Sequence, residues 1–189
     1  FCAGYDLTAF AQEKDNPFSN IGGISIFDNL NNFLTPKQIR NFATDDYYAH
    51  LRFPDKFSTL TIINHPLINN KFSQVLVSYK NIAGSPIVHS ISSAEFYDDI
   101  NFCYKDMIQI NNFFSQNNPN YKQDGPKIDI HPADPSDESI HTGTVWSSED
   151  NNLLIVIECY DWSEKMTNNK GWSDHLSFAI YSYEFDSWL

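Results

Sequence analysis

The sequence predicts an α+β fold, an antiparallel sheet with one long helix and one or two short helices packed on one face. Three observations predict it. Apolar and polar residues alternate through Phe72–Tyr79, Ile87–Ser92, Thr142–Trp146, Leu153–Tyr160 and Leu176–Ser182, the period of half-buried strands. Ile100, Cys103, Met107, Ile110 and Phe114 recur instead at helical spacing. The strands also come in runs on either side of that helix, which favours antiparallel neighbours over parallel crossovers.

Taken in order, residues 5–20 read as irregular, with a turn at Asp15-Asn16-Pro17. Gly23–Phe27 is a short strand. Thr35 before Pro36 is an N-cap followed by proline at the first helical position, so a helix runs from there to about Thr44. Extended segments follow near 48–53 and 57–63. The runs from Phe72 and from Ile87 form a hairpin turning over Asn81–Pro86. The long helix spans about Ala94 to Gln116, and Asn117-Asn118-Pro119 stops it. Residues 117–142, polar and with four prolines, run over the surface apart from a short piece at Ile128–His131. Three strands close the chain. Ser148–Asn151 is a tight turn between the first two, and Tyr183–Leu189 forms a last helical turn. No composition break divides the 189 residues, which read as one domain of ordinary size.

Charge narrows the partners. Twelve basic residues face twenty-four acidic ones, a formal net charge of -12. That field repels phosphate backbones and anionic lipid, so neither nucleic acid nor membrane insertion is expected, and a basic protein partner fits better. No apolar run approaches the roughly 20 residues that span a bilayer. The first residue is Phe1, and Phe1-Cys2-Ala3-Gly4 suits a chain exported with its signal peptide removed. Twenty asparagines without one Asn-x-Ser/Thr acceptor, and richness in Asn, Ile and Lys, suit a bacterial source.

Three cysteines are present. Cys159 continues the apolar face of Leu153, Ile155 and Ile157, and Cys103 lies on the buried stripe of the long helix. If that helix packs on that strand the sulfurs meet, and the bridge is worth about 4 kcal/mol on the chain-entropy model. Otherwise both are inert core thiols. Cys2 is the odd one.

The chemistry-bearing residues fall short of a reaction. Six histidines (50, 65, 89, 131, 141 and 175) include no pair at metal-ligand spacing, so no metal or other cofactor is expected. His131 and His141 flank an acidic loop of Asp134, Asp137 and Glu138, which reads as solvated. No Gly-x-Ser-x-Gly elbow occurs, and a buried Cys103 is a poor nucleophile. The acidic pairs Asp45-Asp46, Asp98-Asp99 and Glu149-Asp150 put neighbours on opposite faces of a strand or complement a helix start. No catalytic residue is assigned. What remains is recognition: Asp161-Trp162-Ser163-Glu164 and Gly171-Trp172-Ser173-Asp174 bracket a polar loop between two strands. Tryptophans in acidic loops are good anchors against a basic enzyme cleft. Trp162, Trp172, Asp161, Asp174, Asp134, Asp137 and Glu138 are therefore the candidate partner-binding residues.

The segments Gly23–Phe27, Asn101–Lys105 around a helical cysteine, and Ile155–Trp162 ending in Cys-Tyr-Asp-Trp cover a minority of the chain. In this combination the sequence resembles small exported bacterial proteins that include periplasmic immunity proteins of type VI secretion effectors. The resemblance implies a periplasmic location, a Cys103–Cys159 disulfide, and an inhibitor that occludes a toxic, cell-wall-degrading enzyme. Two other readings compete: an exported hydrolase whose Asp, Glu and His residues converge only in the fold, and a small-ligand carrier with an aromatic-lined cavity.

Overall fold

The computed structural model describes residues 20–44, 54–68, 72–148 and 152–189. Cys2, His50, the turn at Asp15-Asn16-Pro17, the extended segment at 48–53, Asp45-Asp46 and Glu149-Asp150 lie outside them. The fold is α+β, as the periodicities predict. The short N-terminal strand is a small hairpin of β1 (Asn20–Ile21) and β2 (Ile24–Ser25), turning through Gly22 and Gly23 at φ 61° and 77°. The first helix, α1 (Pro36–Phe42), begins with a full capping box: Gln38 N–H donates to Thr35 Oγ1, and Thr35 N–H donates to Gln38 Oε1.

A meander follows: β3 (Ser58–Ile62), β4 (Gln74–Ile82) and β5 (Ser85–Phe96). The β4–β5 turn is tighter than expected. Ala83 and Gly84 both have positive φ, 50° and 83°, which matches the twist of the flanking strands, so pairing continues out to Ile82 and Ser85. The long helix α2 (Ile100–Asn117) starts later than its pattern suggests. Ala94 to Phe96 still belong to β5, paired with the last strand, and Asp99 caps the helix by accepting from Asn101 N–H.

From α2 the chain reaches the far edge of the sheet and returns through β6 (Lys122–Ile130), β7 (Ile140–Ser148), β8 (Leu153–Asp161) and β9 (His175–Ser182). The seven-stranded antiparallel order is β3-β4-β5-β9-β8-β7-β6. β6 corrects the expectation of surface chain with one short extended piece. It carries no buried face and is held by its ladder to β7, so alternation had nothing to reveal. Between β8 and β9 the expected loop holds a short helix, α3 (Glu164–Lys170), capped by Ser163 and closed by Gly171 at φ 71°. α4 (Tyr183–Asp186) is the predicted last turn.

One face of the sheet carries the core. Leu60, Val77, Ile91, Ile180 and Ile155 form a fully buried row across five strands. Ile39 of α1 joins the same cluster, as do Cys103, Met107, Ile110 and Phe114 of α2. Cys103 and Cys159 are disulfide-bonded, pinning the first turns of α2 to β8. Among the described residues no helix is long and apolar enough to cross a membrane.

Candidate functional site

Antiparallel register sets a second row on the opposite face: Asp129, His141, Tyr160, His175 and Phe96, from β6, β7, β8, β9 and β5. The rings of His141, Tyr160 and His175 stack along it. Tyr160 and His175 stack with centroids 4.7 Å apart, and His141 stacks on Tyr160 at 6.0 Å. Trp162, just past β8, stacks over Tyr160 at 5.8 Å and meets His131 at 4.5 Å and Trp172 at 4.5 Å. The two tryptophans bracketing α3 thus converge on one half-buried aromatic cluster with three imidazoles. Among the described residues Trp162 Nε1–H has no acceptor, so packing orients this indole.

Glu158 occupies the next position inward. It lies over Gly143, where a Cβ would come within 2.2 Å of Glu158 Cγ, so glycine there leaves room for the carboxylate. Tyr160 Oη donates to Glu158 Oε2 at 2.8 Å, and Glu158 Oε1 is 3.6 Å from His141 Nδ1. This contact raises the His141 pKa above the ordinary imidazole value, against the opposing effect of burial. Burial pushes His175 the other way, towards the neutral form.

The acidic loop is built around one carboxylate. Asp134 is 2% exposed. Its Oδ1 accepts from Ser136 N–H at 2.9 Å and Ser136 Oγ at 2.6 Å. Oδ2 accepts from Ser139 N–H at 3.0 Å, Ser139 Oγ at 2.6 Å and Ser163 Oγ at 2.8 Å. Hydrogen bonds from Ser136 and Ser139 hold this carboxyl well below the usual carboxylate range. Because Ser163 is also the N-cap of α3, and its N–H donates to Ser139 Oγ, Asp134 fastens loop 131–139 to loop 161–174.

The candidate residues therefore divide. Asp137 and Glu138 are exposed on the loop's outer side, with Glu164 on the first turn of α3. Asp134 is spent inside the loop. Asp174 accepts the Trp162 backbone N–H at 2.8 Å and so positions that indole. Asp161 is half-buried near Tyr104, and burial together with Asp174 raises its pKa. His131, His141, Glu158, Tyr160 and His175 join this cluster with no mark of it in the sequence. No linear signal unites them, since β-pairing alone brings five elements to one row.

A serine–histidine contact elsewhere in the fold does not form a nucleophile. His89 Nδ1 lies 3.0 Å from Ser182 Oγ and 3.8 Å from Glu184 Oε2, but Ser182 is fully buried and caps α4 by accepting Phe185 N–H. Among the described residues no group of three His, Cys, Asp or Glu side chains could hold a metal ion.

The His141–Glu158 contact has a pH signature. A raised folded pKa means its stabilisation is complete below the unfolded imidazole value, about 6.5, and is lost as pH rises through the folded value. Denaturation of wild type and Glu158→Gln should therefore differ most in mild acid and converge in mild base. A difference that grows with pH would contradict the pairing.

Comparison with protein-family models, with curated proteins and with solved structures finds no match to this chain.

Proposed function

We propose that this chain is an exported binding protein, a periplasmic immunity or inhibitor protein that occludes a basic, toxic bacterial enzyme of the cell-wall-degrading kind. One observation carries the reading: Asp134 clasps two loops into a single surface, where Trp162 and Trp172 meet beside the exposed carboxylates of Asp137, Glu138 and Glu164. A surface ordered before binding loses little entropy on docking, and aromatic anchors inside an acidic rim suit a cationic cleft. The net charge of -12 adds long-range steering towards such a partner.

The test is capture from secretions of the source organism on the immobilised oxidised protein, followed by affinity and protection assays of Trp162→Ala and Trp172→Ala. Each substitution should weaken binding by about 30-fold, the roughly 2 kcal/mol of a hot spot, with folding intact. Salt should slow association more than it speeds dissociation. Undiminished protection by both folded variants would sink the assignment.

The hydrolase reading draws on a different observation, His141 beside the largely enclosed Glu158. In it Glu158 is the general base and His141 tunes its charge. A turnover abolished by Glu158→Gln, with partner binding unaffected, would favour that reading.

A further inference from the structure

The three most exposed large apolar side chains among the described residues are Ile128 at 69%, Ile108 at 56% and Ile130 at 53%. Ile128 and Ile130 lie on β6, the edge strand, opposite Thr142 and Ile140 of β7. Ile108 stands on the flank of α2 that overlooks the same edge. Asn111, one turn after it, accepts Trp146 Nε1–H at 2.8 Å, and Trp146 is on β7. The opposite edge differs, because Thr44 N–H donates to Thr59 O and Ala43 bridges Leu60 there, covering part of β3. Among the described residues nothing pairs with the outer side of β6.

The charge on this edge says what fits it. In a chain of net charge -12, the paired part of β6 is neutral: Lys122 and Lys127 balance Asp124 and Asp129. A neutral edge gives no steering towards a basic partner, but this one is complementary to itself. Turned antiparallel about Ile128, a second β6 sets Ile128 against Ile128 and each Lys127 against the other strand's Asp129. Residues directly opposite share a face, so both ion pairs form on one side and the isoleucines meet on the other. Among the described residues of one chain Lys127 pairs with Asp124, and both are more than 60% exposed, an interaction of little worth. The register shift between Asp124 and Lys127 confines the new pairing to the segment that follows it.

We propose that β6 is the two-fold interface of a homodimer, with Lys127, Ile128 and Asp129 setting the register and Ile108 and Ile130 of both copies covering its apolar side. The sheet then runs on through both chains, and an isologous contact of this kind closes on itself instead of growing into a filament. The inference is independent of any partner of the tryptophan cluster.

Sedimentation velocity over a wide concentration range tests it. Wild type should show a reversible monomer–dimer equilibrium. Lys127→Asp and Asp129→Lys each place like charges opposite one another twice and should weaken self-association by about tenfold or more. Mixing these two variants should restore a dimer, because Asp at 127 then faces Lys at 129 across the axis, and the charge-swapped double variant should dimerise alone. Both substituted positions are exposed, so unchanged circular dichroism certifies the fold. A wild type that stays monomeric at the highest attainable concentration overturns the proposal. So does a dimer that neither single variant weakens, or one that mixing fails to restore.

Discussion

Replacing both bridge cysteines, Cys103→Ala with Cys159→Ala, should cost about 4 kcal/mol, the chain-entropy value for cross-linking residues 56 apart in sequence. In a domain of this size each kcal/mol lowers Tm by about 3 °C, so the melt should move down by roughly 12 °C. The bridge joins the start of α2 to the end of β8, and α2 is the segment that carries the chain from β5 to the far edge of the sheet. Without the bridge the unfolded chain regains the freedom of the whole intervening stretch, which includes β6 and β7. Thermal melts with and without reductant check this. Reductant should bring wild type down to the variant and leave the variant where it was. A wild type indifferent to reductant would mean that the sulfurs are not bonded in solution, and would remove the structural support for an oxidising compartment.

The other end of α2 is held by packing. Phe114 is fully buried, with its ring 4.9 Å from Trp146 and 5.2 Å from Tyr121. Its carbonyl also accepts from Asn118 N–H and Nδ2, which closes the helix. Phe114→Ala should destabilise by about 4 kcal/mol, the transfer free energy of the ring plus the cavity left between helix and sheet. Phe102 lies on the outward side of the same helix at 47% exposure, and Phe102→Ala should stay within about 0.5 kcal/mol of wild type. Urea titration separates the two: the midpoint should fall for Phe114→Ala with its slope unchanged. Equal losses at the two positions would contradict the orientation of α2. Against a total stability of about 5–15 kcal/mol, either the bridge or this ring is a large fraction of what keeps the fold closed.

Neutralising the buried clasp would act on the proposed binding surface more than on the core. The Asp134 carboxyl is kept below its usual range, so its contribution is present above the unfolded value, about 3.9, and persists in mild acid until the lower folded value is reached. The two loops should therefore stay joined across the pH range in which the His141 contact is gained and lost.

Where a residue's neighbours along the chain carry the signal, the sequence determined the outcome. The buried stripe of α2, the inward faces of β4, β5, β8 and β9, the Thr35-Pro36 helix start and the C-terminal turn all follow from local periodicity and capping. Cys103 and Cys159 were each legible as core residues, but that they face one another depends on which strand α2 crosses. β6 was legible only in part, because an exposed edge strand has no buried side to alternate. Trp162 and Trp172 stood out as acidic-loop aromatics, yet their meeting needed the short α3 between them and the Asp174 bond to Trp162 N–H. Asp134 read as one more solvated acid, although three serines from two loops turn it inward. The row from Asp129 to Phe96 exists only through register across five strands. Periodicity reports which way a side chain points; only tertiary pairing decides what it finds there.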